Sequence, residues 1–154
     1  MAVDDPYDLQ RFLDAQAPAI AQVLAELRGG KKRGHWMWFV FPQIAGLGRS
    51  EMARKFAIAS LDEARAYLAH DILGARLREC AALIIAVEGR TVEEIFGSPD
   101  DLKFRSSMTL FARAVPQEAV FKAALQKIFG GQEDRATLEM VCQSPTRPQE
   151  TRGG

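Results

Sequence analysis

The chain has 154 residues, 47% hydrophobic and 26% charged, ordinary values for one globular domain with a continuous core. Its 20 basic and 20 acidic side chains cancel. The basic excess that nucleic-acid binders use to neutralise phosphates is therefore absent, and nucleic acid is not expected as the main partner. Cys80 and Cys142 form no CxxC pair or disulfide framework, and no stretch reaches the ~20 apolar residues of a membrane span. Residues 1–6 are acidic and lack the charged-then-apolar run of a secretion signal, so a soluble cytoplasmic protein is expected.

In chain order, helical signals dominate. Asp5 and Pro6 read as a cap and a first-turn proline ahead of Leu9, Phe12 and Leu13 at helical spacing. Pro18 opens a second helix through Ile20, Val23, Leu24 and Leu27. Gly29 and Gly30 end it, because glycine accepts the left-handed conformation at low cost. Residues 34–48, GHWMWFVFPQIAGLG, break the pattern: two Trp, two Phe and a Val fall within six residues. Such a run reads as an extended or irregular buried segment, with a short helix as the alternative.

Ser60 with Glu63, and Thr91 with Glu94, fit capping boxes at two helix starts. The first of these helices sets Leu61, Ala64 and Leu68 on one face. The next begins near Asp71 and carries Leu73, Leu77, Cys80, Ile84 and Val87 within an arc of about 80°, at ~100° per residue. Cys80 thus reads as a small buried hydrophobe. His70 reads as the end of the preceding helix, where a cation would meet the dipole. After Ser98 and Pro99 a helix turns Phe104, Met108, Phe111 and Val115 inward. Pro116 opens the last large helix, with Val120, Ala124, Leu125 and Ile128, which stops at Gly130 and Gly131, and a short helix over 137–141 follows.

The expectation is an all-α fold: a single compact domain of about seven to eight helices over residues 1–142, with an irregular aromatic segment near 34–48. Residues 143–154, rich in Pro, Thr, Arg, Gln and Gly, read as a flexible tail.

Three stretches carry candidate chemistry. In the first, Trp36 and Trp38 can stack on a planar ring, Gln43 can read a polar edge, His35 supplies an imidazole, and Lys31 in the basic run before them can hold an anionic group. Core packing explains the same aromatics without any ligand. In the second, Gly46, Gly48 and Arg49 precede a helical stretch from Glu51, an arrangement suited to an anion, whereas Ser50 as a plain N-cap needs none. The third is the helical run with Asp101, Lys103 and Ser107. Lys103 and Ser107 are i,i+4 neighbours beside the Phe104/Met108/Phe111 stripe, suited to binding an oxyanion or activating a hydroxyl. Asp101 is the carboxylate to test if an N-glycosidic bond is hydrolysed. Two histidines 35 positions apart, without matching Cys or carboxylates, make no metal site, and no cofactor motif is present.

The blocks HWMWFVFPQIAGLGRSEMARKFAI, LDEARAYLAHDILGARLREC and IFGSPDDLKFRSSMTLF resemble successive signature blocks of the domain of unknown function 1810 family. The likeness runs from about Asp8 to Met140. It implies a mainly α-helical fold and supplies no reaction. The calpastatin label given to some members has no counterpart here, since nothing resembles a disordered inhibitor repeat. Two readings follow, and whether the protein is catalytic stays open in the first. One is a small cytosolic ligand-binding protein or enzyme, with a pocket between the aromatic segment and the 101–107 helix for a planar anionic molecule, nucleotide or ADP-ribose-like. The other is a non-catalytic helical protein-interaction module, monomeric or homodimeric.

Overall fold

The computed structural model describes residues 5–143 and builds ten helices from them: α1 (Gln10–Gln16), α2 (Ile20–Arg28), α3 (Met37–Val40), α4 (Glu51–Lys55), α5 (Leu61–Ala69), α6 (Asp71–Ala86), α7 (Val92–Phe96), α8 (Asp100–Ala114), α9 (Ala119–Phe129) and α10 (Arg135–Gln143). The all-α expectation holds. The count exceeds seven to eight because pieces such as α3 and α4 are about one turn long, too short for periodicity to register. Apart from Gln143, the last residue of α10, the expected tail lies outside the described residues.

α8 is the central element, packed against α5, α7, α9 and α10, while α6 packs against α2, α5 and α9. The predicted stripes account for this. Leu73, Leu77, Cys80 and Ile84 of α6, Phe104, Met108 and Phe111 of α8, and Ala124 and Leu125 of α9 are all buried. Val87, Val115, Val120 and Ile128 of the same stripes are half-buried, and α9 buries Phe121, which the stripe did not include. Phe104 sits 4.9 Å from Phe41 edge-on and 5.0 Å from Phe96 in a stack, so the aromatic segment and α7 both close on α8. Gly74 permits a tight corner between α5 and α6, because a Cβ there would lie 2.1 Å from the Leu68 carbonyl oxygen.

Caps fix the helix starts. Thr91 and Glu94 form the full reciprocal box at α7. At α5 only half of it forms: Ser60 Oγ accepts the Glu63 amide, but the Glu63 carboxylate turns instead to the Ala59 amide and to Arg11. His70 ends α5, as the sequence implied, and also opens α6: its backbone N–H donates to the Ala66 and Tyr67 carbonyls, and its Nδ1 accepts the amides of Ile72 and Leu73 at 3.1 and 3.3 Å. The helices expected to open on Pro6, Pro18 and Pro116 start later, at Gln10, Ile20 and Ala119. Before α1, Asp5 still caps, taking the Leu9 and Gln10 amides on its two carboxylate oxygens.

Candidate functional site

The aromatic segment resolves into a single helical turn. Trp36, Met37, Phe39, Val40 and Phe41 are buried, whereas Trp38 alone stays half-exposed. That is helical spacing, because in a strand Trp36, Trp38 and Val40 would share a face. Gln16, itself buried, donates to the Phe39 carbonyl at 2.6 Å and to the Tyr67 hydroxyl at 3.0 Å, which locks the turn against α1 and α5. Trp36 gives its indole N–H to Glu26 at 2.9 Å, and the same carboxylate oxygen accepts the Arg33 and Gly34 amides.

Beyond the turn the chain makes a loop whose neck is a parallel bridge between Ile44 and Ile58. The Ala45 amide donates to the Ile58 carbonyl and the Ile58 amide to the Gln43 carbonyl, both at 2.8 Å. Inside this loop lies a cleft of about 190 Å³. Ile44 and Phe56 are its buried apolar floor, Trp38 forms one wall, and Gln43, Gly46, Gly48 and Arg54 supply its rim. Packing explains the glycines. Gly46 has φ +104, and a Cβ there would lie 2.7 Å from Met140 Sδ of α10; a Cβ on Gly48 would lie 2.5 Å from Ala53 Cβ. Ser50 Oγ takes the Ala53 amide as an ordinary N-cap of the five-residue α4.

Of the sequence candidates, Trp38, Gln43, Gly46 and Gly48 therefore share one cleft. Lys103 touches only its wall, with its ammonium 5.6 Å from the centre of the Trp38 ring. Asp101 bonds the Leu102 amide of its own helix at 2.9 Å. Ser107 is fully buried, with a hydroxyl that finds no partner among the described residues. Trp36 is in the core, and Lys31, His35 and Arg49 are exposed and away from the cleft lining. Between the aromatic segment and the 101–107 helix, Phe41 packs edge-on against Phe104; the cleft lined by Trp38 and Gln43 lies within the 43–57 loop.

The sequence profile of the family described as "Protein of unknown function (DUF1810)" matches residues 6–141. The chain belongs to that family. The crystal structure of the conserved hypothetical protein Rv1873 from Mycobacterium tuberculosis, at 1.38 Å, is similar to it, with 59% identity over 90% of this chain and 99% of that one and a TM-score of 0.89. No curated protein matches. The function of the DUF1810 family is not established.

Three groups in this DUF1810 chain make contacts that sequence reasoning did not anticipate. Asp100 binds two lysines, Lys32 at 2.9 Å and Lys103 at 3.4 Å. Lys32 is only 8% exposed and also donates to the Gly34 carbonyl at 2.6 Å, over the Trp36 ring, so it ties the aromatic segment to the start of α8. The Asp100–Lys103 half was legible as an i,i+3 pair; the Lys32 half spans a tertiary contact. Glu26 is the third. Its burial raises the carboxyl, but hydrogen bonds from the Arg33 backbone, the Gln22 side chain, the Gly34 backbone and the Trp36 indole outweigh that and lower it to about 2. Cys80 is a core residue, as its helix stripe implies: burial, then the neighbouring Glu79 charge, push its thiol up to about 12, which leaves it unreactive. Among the described residues no cluster of His, Cys, Asp or Glu could hold a metal, and no helix is long and apolar enough to cross a membrane.

Proposed function

We propose that this protein binds a planar anionic small molecule in the cleft of the 43–57 loop. The observation that carries the reading is Trp38. It is the one residue of the aromatic run 36–41 left half-exposed, and it forms the cleft wall beside the Gln43 side chain, which has no partner among the described residues. A half-exposed indole over an apolar floor is a stacking surface, and a carboxamide on the rim supplies both a donor and an acceptor for a polar ring edge. Lys103 adds positive potential at the same indole, held there by Asp100.

The reading is one of binding. Asp101, Ser107 and His35, the candidates for acid, base or nucleophile, do not line the cleft. An interaction module needs a contiguous apolar patch. Among the described residues only Ile72 and Leu102 are large exposed hydrophobics, and they sit on different helices.

A thermal-shift screen against nucleotides, ADP-ribose derivatives, sugar phosphates and small aromatic acids tests the proposal. Ligand at 100 times its dissociation constant adds ~2.7 kcal/mol to native stability. For a domain of this size that is a rise of roughly 5–10 °C. The shift should vanish in Trp38→Ala and shrink in Gln43→Ala, each with its far-UV spectrum unchanged. Full retention of the shift in both variants, or no shift across the panel, counts against the cleft.

A further inference from the structure

We infer that Arg54 is the anion anchor of the cleft, and that its ligand is a single-ring aromatic acid. The inference rests on the binding reading above and narrows it in two respects, size and charge placement.

Size comes first. A dry cavity of about 150 Å³ holds one benzene ring, whereas sites for drug-sized ligands run from about 300 Å³ upward. The cleft, at about 190 Å³, lies just above the first figure and well below the second. It holds one ring with one small substituent. The ribose and phosphates of a nucleotide or an ADP-ribose would have to extend out of the cleft mouth. The neck is fixed by the two Ile44–Ile58 bridge hydrogen bonds, and the rim by Met140 against Gly46 and by Ala53 against Gly48, so the volume is set by packed structure on three sides.

Charge comes second. Besides the Trp38 indole, Gln43 and Arg54 carry the polar side chains of the cleft lining among the described residues, and Arg54 is the charged one. The basic residues singled out from sequence lie elsewhere: Lys31 and Arg49 are outside the lining, and the Lys32 ammonium is already engaged by Asp100 and the Gly34 carbonyl. Arg54 makes no ion pair and no side-chain hydrogen bond among the described residues, in contrast to Arg11, Arg65, Arg78 and Arg113, whose forks are engaged. An unengaged guanidinium beside an apolar floor offers a planar donor fork that matches a carboxylate in bidentate geometry. The α4 N-terminus has no part in this, because Ser50 Oγ already takes its Ala53 amide. A ring seated between Trp38 and the Ile44/Phe56 floor, its carboxylate turned to Arg54 and a ring heteroatom or hydroxyl turned to Gln43, uses both the charged and the amide side chain of the lining.

Titration calorimetry with benzoate and nicotinate, against the uncharged benzamide and the larger AMP and ADP-ribose, tests the inference on the full chain. Benzoate or nicotinate should bind, accompanied by a change in tryptophan fluorescence that Trp38→Phe removes. Arg54→Ala should weaken that binding at least tenfold and leave the weak binding of benzamide unchanged. Arg54 is exposed, so the variant should fold, which its circular dichroism checks. Equal affinity of Arg54→Ala and wild type for the acids overturns the anchor. Binding of AMP or ADP-ribose with no response to benzoate or nicotinate overturns the size argument and leaves the binding reading intact. Silence across all five probes overturns both.

Discussion

Arg11→Met tests the polar clamp that holds the cleft loop to the body of the domain. The Arg11 guanidinium is hydrogen-bonded on every nitrogen. Nε donates to the Lys55 carbonyl at 2.8 Å, Nη1 to Tyr7 and Asp8, and Nη2 to the Ala57 carbonyl at 2.8 Å and Glu63 Oε2 at 2.9 Å. The pair is largely buried, with side-chain exposures of 16% for Arg11 and 4% for Glu63. Removing one partner of a buried pair typically costs about 3–5 kcal/mol, because the other charge is left uncompensated. Here Glu63 keeps the Ala59 amide at 2.9 Å, and the methionine stem still covers Phe12, over whose ring the guanidinium lies at 4.4 Å. The expected loss is therefore at the low end, about 3 kcal/mol, or roughly 6–12 °C in Tm for a domain of this length. Urea and thermal unfolding followed by circular dichroism measure it. Arg11→Met with Glu63→Leu should recover part of the loss, since apolar replacement of both partners removes the stranded charge. A loss under about 1 kcal/mol, or a double variant less stable than both singles combined, refutes the idea that this pair locks Lys55 and Ala57 in place.

Two further outcomes are expected. Leu77→Ala should destabilise by about 2–5 kcal/mol in urea unfolding, because Leu77 is 1% exposed on the buried stripe of α6; a change below about 0.5 kcal/mol would remove that helix-face assignment. Glu26 makes a pH-dependent contribution whose sign follows from its lowered pKa. A carboxylate brought from 4.5 to about 2 stabilises the fold above the unfolded value, and that contribution fades as pH falls from about 4.5 towards 2. Glu26→Gln should flatten this part of the stability–pH curve and lower stability at neutral pH by about 0.5–1 kcal/mol, the figure discounted for solvent screening. Identical curves for the two proteins between pH 2 and 5 would show that the Arg33–Trp36 turn does not depend on that charge.

The sequence by itself determined the helices long enough to repeat a pattern. Four of the five stripe positions, Leu73, Leu77, Cys80 and Ile84, lie inside, and Thr91 with Glu94 marked a helix start to the residue, because caps and periodicity are local properties of the chain. It also marked 34–48 as unusual and gave Trp38, Gln43, Gly46 and Gly48 as binding candidates, since residue types that can stack or read a polar edge are visible in one dimension. Tertiary structure decided the rest. Only the packing of Phe41 on Phe104, and of Trp36 on Phe41, drew these two inward and left Trp38 partly exposed, and only the bridge between Ile44 and Ile58 closed the loop into a cleft. Ser60 and Glu63 look like the Thr91 box in sequence, yet Arg11, 52 residues from Glu63, diverts the carboxylate. Arg54 carries no local mark: its neighbours make it an ordinary residue of a one-turn helix, and it lines the cleft because of a fold-back fixed by contacts outside that helix.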